Sequence, residues 1–299
     1  FDGVCDKTRF EIIESELKMN VKHPQLINDH FQNFKGYHVP PAQLVIADIP
    51  YNIGINAYGS NPSWYIGGDN SNGESELAGK SFFDTDENFK PSEFMHFCSR
   101  LMKKEPKQRG DAPCMIVFCS FEQQMPLIEL AKQYGINNYI NLVFRKNFSA
   151  QVLKANMRIV GNAEYGLLLY REKLPKFNNN GKMVFNVMDW EQDDNTLYEK
   201  VHPTQKPVKL LEKLISIFTD EGDVVIDPVA GSGSTLVAAY NLGRKAYGFE
   251  IKKDFYKDAT KWVNKCVTAK DEIKQYGYSK TLMTSANQRT LFDNLEAGV

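Results

Sequence analysis

Four consecutive apolar residues, Leu44, Val45, Ile46 and Ala47, are followed at once by Asp48, Ile49, Pro50 and Tyr51. A short apolar run bounded by turn residues reads as a strand buried on both faces, as in a parallel sheet. Residues 115–119, 139–144, 164–170, 223–226 and 245–249 repeat that signature, and residues 25–31 predict a shorter strand ending on Asn28 and Asp29. Between the strands, apolar residues recur at helical spacing. Phe94, Phe97, Cys98 and Leu101 share a face within residues 89–104, and Pro91 suits a first turn. Residues 123–134 predict a second helix stopped by Gly135. Val208, Leu211, Leu214, Ile215 and Phe218 mark a third, and another ends near Gly243. Strands alternating with helices predict an α/β fold: a doubly wound, mostly parallel sheet with helices on both faces.

Four segments depart from the alternation. Residues 1–24 are polar and mixed, an N-terminal extension to a domain spanning 25–269. Residues 52–90 are rich in Asn, Gly and Ser yet carry Trp64, Tyr65, Phe82 and Phe83. A loop of that length in a compact domain is functional or disordered, and its aromatic residues predict a lid that orders over a substrate. Residues 172–200 turn polar and irregular and read as an insertion. Residues 270–299 form a polar tail.

Composition narrows the class only a little. The chain has 299 residues, 42% hydrophobic and 24% charged, with a net charge of −1, an ordinary globular balance. The five cysteines show no C-x-x-C pair, which predicts free thiols in a reducing cytosol and no metal site. No apolar run approaches a membrane span, and no signal peptide is visible, so a cytoplasmic protein is expected. Arg145, Lys146, Lys154 and Arg158, with Phe148 among them and no acid between, read as a phosphate-facing surface or an ordinary solvated face.

Candidate chemistry sits where strands end, because ligands of open α/β sheets bind outside the carboxyl ends of the strands. Asp48 could accept one N–H of an exocyclic amine, and the carbonyl of Pro50 the other. Tyr51 offers a face for base stacking. The alternative is a plain strand followed by a proline turn. Asp227 to Thr235 places a glycine turn between a strand and a helix, with Glu250 at the tip of the next strand. That combination predicts a nucleoside cofactor whose ribose meets the acid. His202 to Pro207 opens the third helix with polar residues that suit an anionic group or simply cap the helix. Asp29 could accept from an adenine amine or cap the turn that follows.

In chain order, Asp48-Ile49-Pro50-Tyr51, His202 to Pro207 and Asp227 to Thr235 resemble motifs of the amino-group DNA methyltransferases that use S-adenosylmethionine. The similarity covers residues 25–265 and follows the circularly permuted arrangement, in which D-P-P-Y precedes H-P-T-Q-K-P and D-P-F-x-G-S-G-T. Ile49 stands where proline is usual. The resemblance implies a Rossmann-like methyltransferase fold and assigns roles by position. Asp48 and the Pro50 carbonyl would bind the target amine, and Tyr51 would stack on the flipped base. Gly231, Ser232 and Gly233, with Asp227, Ala230, Ser234 and Thr235 around them, would line the methionine end of S-adenosylmethionine. Thr204, Gln205 and Lys206 would contact the same end or nearby backbone, Glu250 the ribose, and Asp29 the adenine. An aspartate opening the motif implies adenine-N6 transfer, with cytosine-N4 transfer or a catalytically idle DNA-binding subunit as alternatives. The region between Glu164 and His202 would correspond to target recognition of double-stranded DNA. Its shortness suggests a homodimer. In the tail, Gln288, Leu291 and Phe292 look like the Q-x-x-L-F peptide that binds bacterial sliding clamps, or belong to an unstructured end. A bacterial or phage origin follows from the family.

Overall fold

The computed structural model describes residues 23–51, 89–147, 151–154, 159–193, 198–202 and 204–277. Among the described residues ten strands form: β1 (Gln25–Ile27), β2 (Leu44–Asp48), β3 (Cys114–Cys119), β4 (Asn138–Lys146), β5 (Gln151–Lys154), β6 (Ile159–Gly161), β7 (Ala163–Tyr170), β8 (Val187–Trp190), β9 (Val224–Asp227) and β10 (Lys245–Phe249). Eight of them make one sheet in the order β1-β10-β9-β2-β3-β7-β4-β8, and β5 pairs with β6 apart from it. Only β7 runs against its neighbours in that sheet, β3 and β4. The helices are α1 (Pro91–Leu101), α2 (Gln124–Gln133), α3 (Val208–Phe218), α4 (Ser234–Asn241) and α5 (Lys253–Tyr276).

The buried strands explain the unbroken apolar runs. Side chains alternate across a strand, and both faces of β2 are covered. Leu44 and Ile46 face a core built with α3, α4 and α5. Val45 and Ala47 face the opposite core, built with α1 and α2. Gly248 of β10 lets α4 lie close. A Cβ there would stand 2.7 Å from Leu236 Cδ1 and 3.0 Å from Ala230 Cβ.

Several elements depart from the expectation. β4 follows β3 in the chain, yet β7 lies between them, because an apolar run identifies a strand and not its partner. The segment 172–200 is not wholly irregular: it supplies β8, the sheet's outer strand. Only Met188 and Trp190 of its four residues are buried, too few to carry a pattern. The same segment supplies Asp193, whose Oδ2 accepts from the backbone N–H of Val208 at 2.7 Å. The helix α5 runs on to Tyr276, so residues 270–276 belong to it and not to a tail. The predicted strand 25–31 ends at Ile27, and Phe31–Tyr37 turns as a 3-10 helix instead. The N-terminal extension up to residue 22, most of the predicted lid (52–88), Phe148, Arg158 and the 288–292 peptide lie outside the described residues. Among the described residues, no helix is long and apolar enough to cross a membrane.

Candidate active site

Strand direction gathers the candidate residues. The carboxyl ends of β1, β10, β9, β2, β3, β4 and β8 share one edge of the sheet, and reversed β7 brings its first residues there. That edge carries Asp29, Glu250, Asp227, Asp48, Cys119, Glu164, Lys146 and Trp190. β2 and β9 are direct neighbours, so the Asp48 turn and the glycine turn after Asp227 lie side by side.

Asp48 Oδ2 meets the ammonium of Lys206 at 2.5 Å, and the Tyr51 hydroxyl lies 3.3 Å from its Oδ1. Lys206 also reaches Glu164 Oε2 at 3.2 Å. The hydroxyl of Tyr51 lies 3.4 Å from that same oxygen, and Lys146 pairs with Glu164 Oε1. Burial raises the Asp48 carboxyl against the opposing pull of Lys206. Burial also pushes Glu164 up, but Lys206 and Lys146 overcome it and hold that carboxyl below its ordinary value. Burial opposes the charge on Lys206, yet Asp48 and Glu164 together raise its pKa. Aromatic rings flank the two cations: Lys146 Nζ lies 4.5 Å from the Trp190 ring centroid, and Lys206 Nζ lies 5.3 Å from that of Phe118. The Pro50 carbonyl accepts from Gln123 Nε2 at 2.8 Å, which leaves one of its lone pairs for a ligand.

The glycine turn uses positive φ twice, at Gly231 (50°) and Gly233 (79°), where only glycine is unstrained. Among the described residues, a Cβ at Gly231 would approach only His202 Cε1, at 3.9 Å, so they leave the backbone open on that side. Glu250 is held above the turn: its Oε2 accepts from Gly231 N at 3.0 Å and its Oε1 from Lys252 N at 2.8 Å. Each carboxylate oxygen keeps a lone pair for a diol. Burial lifts the Asp227 carboxyl from 3.8 to about 7, against hydrogen bonds from Thr235 and Val229. Ala230, Ser232, Ser234 and Thr235 are buried around this turn. The Thr204 hydroxyl lies 3.2 Å from His202 Nδ1, and the Gln205 side chain accepts from Val201 N at 3.0 Å. These two residues shape the turn before α3.

Three expected roles, those of Lys206, Lys146 and Asp29, meet different surroundings. Lys206 reaches the two carboxylates and not the glycine turn. Lys146 is 9% exposed and bound to Glu164, so it is absent from the solvated basic face the sequence suggested. Arg145 does stand on the surface, paired with Asp189 at 2.7 Å. The β5 strand includes Lys154, whose side chain lies outside the described residues. Asp29 accepts from His30 N, Asn33 Nδ2 and the Tyr37 hydroxyl, which ties it to the following turn, but the cap of that turn is His30, whose ring accepts from Gln32 N. Glu164 and Gln123 escaped the sequence reading. Glu164 opens a strand, and only the reversed direction of β7 brings that opening to the active edge.

Residues 42–261 match the family model described as DNA methylase. The type II methyltransferase M2.LlaDCHI of Lactococcus lactis subsp. cremoris is 41% identical over 102 residues, 33% of this chain and 37% of the relative. The DNA adenine methyltransferase YhdJ of Escherichia coli (strain K12) is 27% identical over 280 residues, 85% of this chain and 84% of the relative. The chain spans 37%, 58% and 35% of the length of three other curated relatives, of which M2.LlaDCHI is one. Among solved structures, the M1.HpyAVI–SAM complex aligns with a TM-score of 0.55 at 23% identity, covering 81% of this chain and 100% of that one. That likeness establishes the Rossmann-like α/β fold.

Proposed function

The chain belongs to the DNA methylase family, and from that premise we propose that it transfers a methyl group from S-adenosylmethionine to the N6 amine of a flipped adenine in double-stranded DNA. One observation carries the reading: the Asp48-Ile49-Pro50-Tyr51 turn and the Gly231–Gly233 turn end neighbouring parallel strands. An amine acceptor and a cofactor cradle therefore share one edge.

The residues fit S-adenosylmethionine. Open backbone at Gly231 and the anchored Glu250 carboxylate would hold the amino-acid and ribose ends. When bound, the cofactor supplies an electrophilic methyl on a sulfonium. The protein's part is to make the amine nucleophilic and to aim it. An exocyclic amine is a poor nucleophile while its lone pair is conjugated with the ring. Asp48 Oδ1 and a backbone carbonyl of the Pro50 turn accept its two N–H groups and draw the nitrogen toward tetrahedral geometry. Tyr51 stacks on the base, worth roughly 1–3 kcal/mol. Extruding the base costs a few kcal/mol, and the rest of the acceleration is proximity and alignment for direct in-line transfer. As the nitrogen–carbon bond forms, the sulfur–carbon bond would break to leave a neutral thioether, and the methylated amine, now cationic, would lose its extra proton to Asp48 or water. Ile49 is not one of the side chains this mechanism uses.

The relative YhdJ is called a DNA adenine methyltransferase, which supports adenine as the base. Incubating the protein with labelled S-adenosylmethionine and mixed genomic DNA, then digesting to nucleosides, tests it. Label in N6-methyladenine is expected; label in N4-methylcytosine would overturn the base assignment. Asp48→Ala is expected to lose turnover while keeping cofactor binding, and retained transfer would overturn the catalytic role. The exposed Arg145 supports a DNA-facing side. The proposal extends to a cytoplasmic protein of bacterial or phage origin, to a homodimer testable by sedimentation, and to a sliding-clamp peptide at Gln288, Leu291 and Phe292. A direct binding assay with a Leu291→Ala, Phe292→Ala variant tests the last.

A further inference from the structure

Glu164 is the common acceptor of three groups: the ammonium of Lys206, the ammonium of Lys146 and the hydroxyl of Tyr51. Through Lys206 it is joined to Asp48. The cluster is largely shielded, with side-chain exposures of 7% for Lys206, 9% for Lys146, 17% for Glu164 and 24% for Asp48. It contains two carboxylates and two ammonium groups and is electrically balanced. Of its titratable neighbours, Cys119, Tyr51 and His202 are neutral at pH 7, and Asp227, which faces Asp48 from the adjacent strand, is only partly ionised there because burial lifts its carboxyl to about 7. Burial pushes the Cys119 thiol up to about 12 and the Tyr51 phenol well above its ordinary value. Burial and Lys206 push the His202 imidazole down to about 4.

The balance matters because the ligand proposed for this edge is a cation. A site with two buried ammonium groups and one carboxylate would repel a sulfonium. We propose that Glu164 is a positioning residue: it holds Lys206 on Asp48 Oδ2, leaving Oδ1 to the base, and neutralises the second lysine so that the edge admits a sulfonium cation. The inference rests on the cofactor reading above. It assigns to the start of a reversed strand a task that neither motif performs.

The test compares two ligands that differ by one methyl and one positive charge, S-adenosylmethionine and S-adenosylhomocysteine. Calorimetry on the full chain gives the ratio of their dissociation constants. At an effective dielectric of about 20, a unit charge ~10 Å away changes an equilibrium roughly tenfold. Glu164→Gln keeps the shape and leaves the cluster one charge positive. It should shift the ratio about tenfold against S-adenosylmethionine. Lys146→Met leaves the cluster one charge negative and should shift the ratio the opposite way. The double variant is balanced again and should return to the wild-type ratio. A merely structural role would weaken both ligands together and leave the ratio alone. An unchanged ratio in Lys146→Met, or in a folded Glu164→Gln, would overturn the proposal. If Glu164→Gln does not fold, Lys146→Met decides alone. Wild-type protein that binds neither ligand would overturn the cofactor reading itself, and this inference with it.

Discussion

Lys206 shows how one residue can change meaning between sequence and structure. In the sequence it belongs to the polar opening of a helix, with a role at the cofactor. In the structure its ammonium closes on Asp48 at 2.5 Å. Burial already raises the Asp48 carboxyl, and the first opposing influence is that ammonium. Lys206→Met should therefore raise Asp48 further. The base amine needs the ionised form as an acceptor, so the acid limb of the pH–rate profile should move to higher pH. At neutral pH single-turnover methyl transfer should fall about a hundredfold, in the range seen when one preorganised electrostatic group is lost. Raising the pH should recover part of the loss; a uniform loss across pH would argue against the link. Asp48 and Tyr51 were legible because they end an apolar run on a short motif. Glu164 was not, because a carboxylate at the start of a strand is ordinary until the direction of that strand is known.

At the scale of elements, the insertion between β7 and α3 is fastened at both its strand and its cap. β8 closes the sheet edge against β4. Three residues beyond it, Asp193 accepts from Val208 N and Lys209 N at the start of α3. The helix has no side-chain cap of its own, since Pro207 occupies the N-cap. Asp193 therefore satisfies donors that the helix would otherwise leave open. Asp193→Ala should cost about 1 kcal/mol, the usual size of a lost cap. Urea unfolding measures it, and a change within error would show that water replaces the carboxylate. Helices α1 and α3 were read from apolar spacing because each buries an apolar face, while α2 and α4 were read from the glycines that bound them, α4 being buried along six consecutive residues. β8 could not be read, since an edge strand of four residues has too short a period to stand out.

For the molecule as a whole, the active edge carries an electrostatic cost that depends on pH. Asp227 titrates at about 7 in the fold, against an ordinary 3.8. The folded chain thus binds more protons than the unfolded chain between those values, and stability falls as pH rises across that window. The contribution is fully present below about pH 4 and lost as pH passes about 7. Asp227→Asn removes the titration. The difference in Tm between wild type and this variant should favour wild type most at low pH and shift toward the variant by pH 8. A constant difference would show that Asp227 is ionised throughout. Bound S-adenosylmethionine, being cationic, is expected to soften the dependence.

Local chemistry was decided in the sequence. Apolar runs and helical stripes depend on neighbours a few residues apart, so the α/β alternation, most elements and the two motif turns followed from the chain alone. Which strand lies beside which depends on contacts across distances that range from about twenty to more than two hundred residues. Folding alone brought Asp48, Glu164 and Lys206 together, because β7 reverses and carries its carboxylate to the edge where the parallel strands end. The same packing took Lys146 from a supposed surface face into the site, where burial without a counter-charge would be costly and Glu164 supplies one.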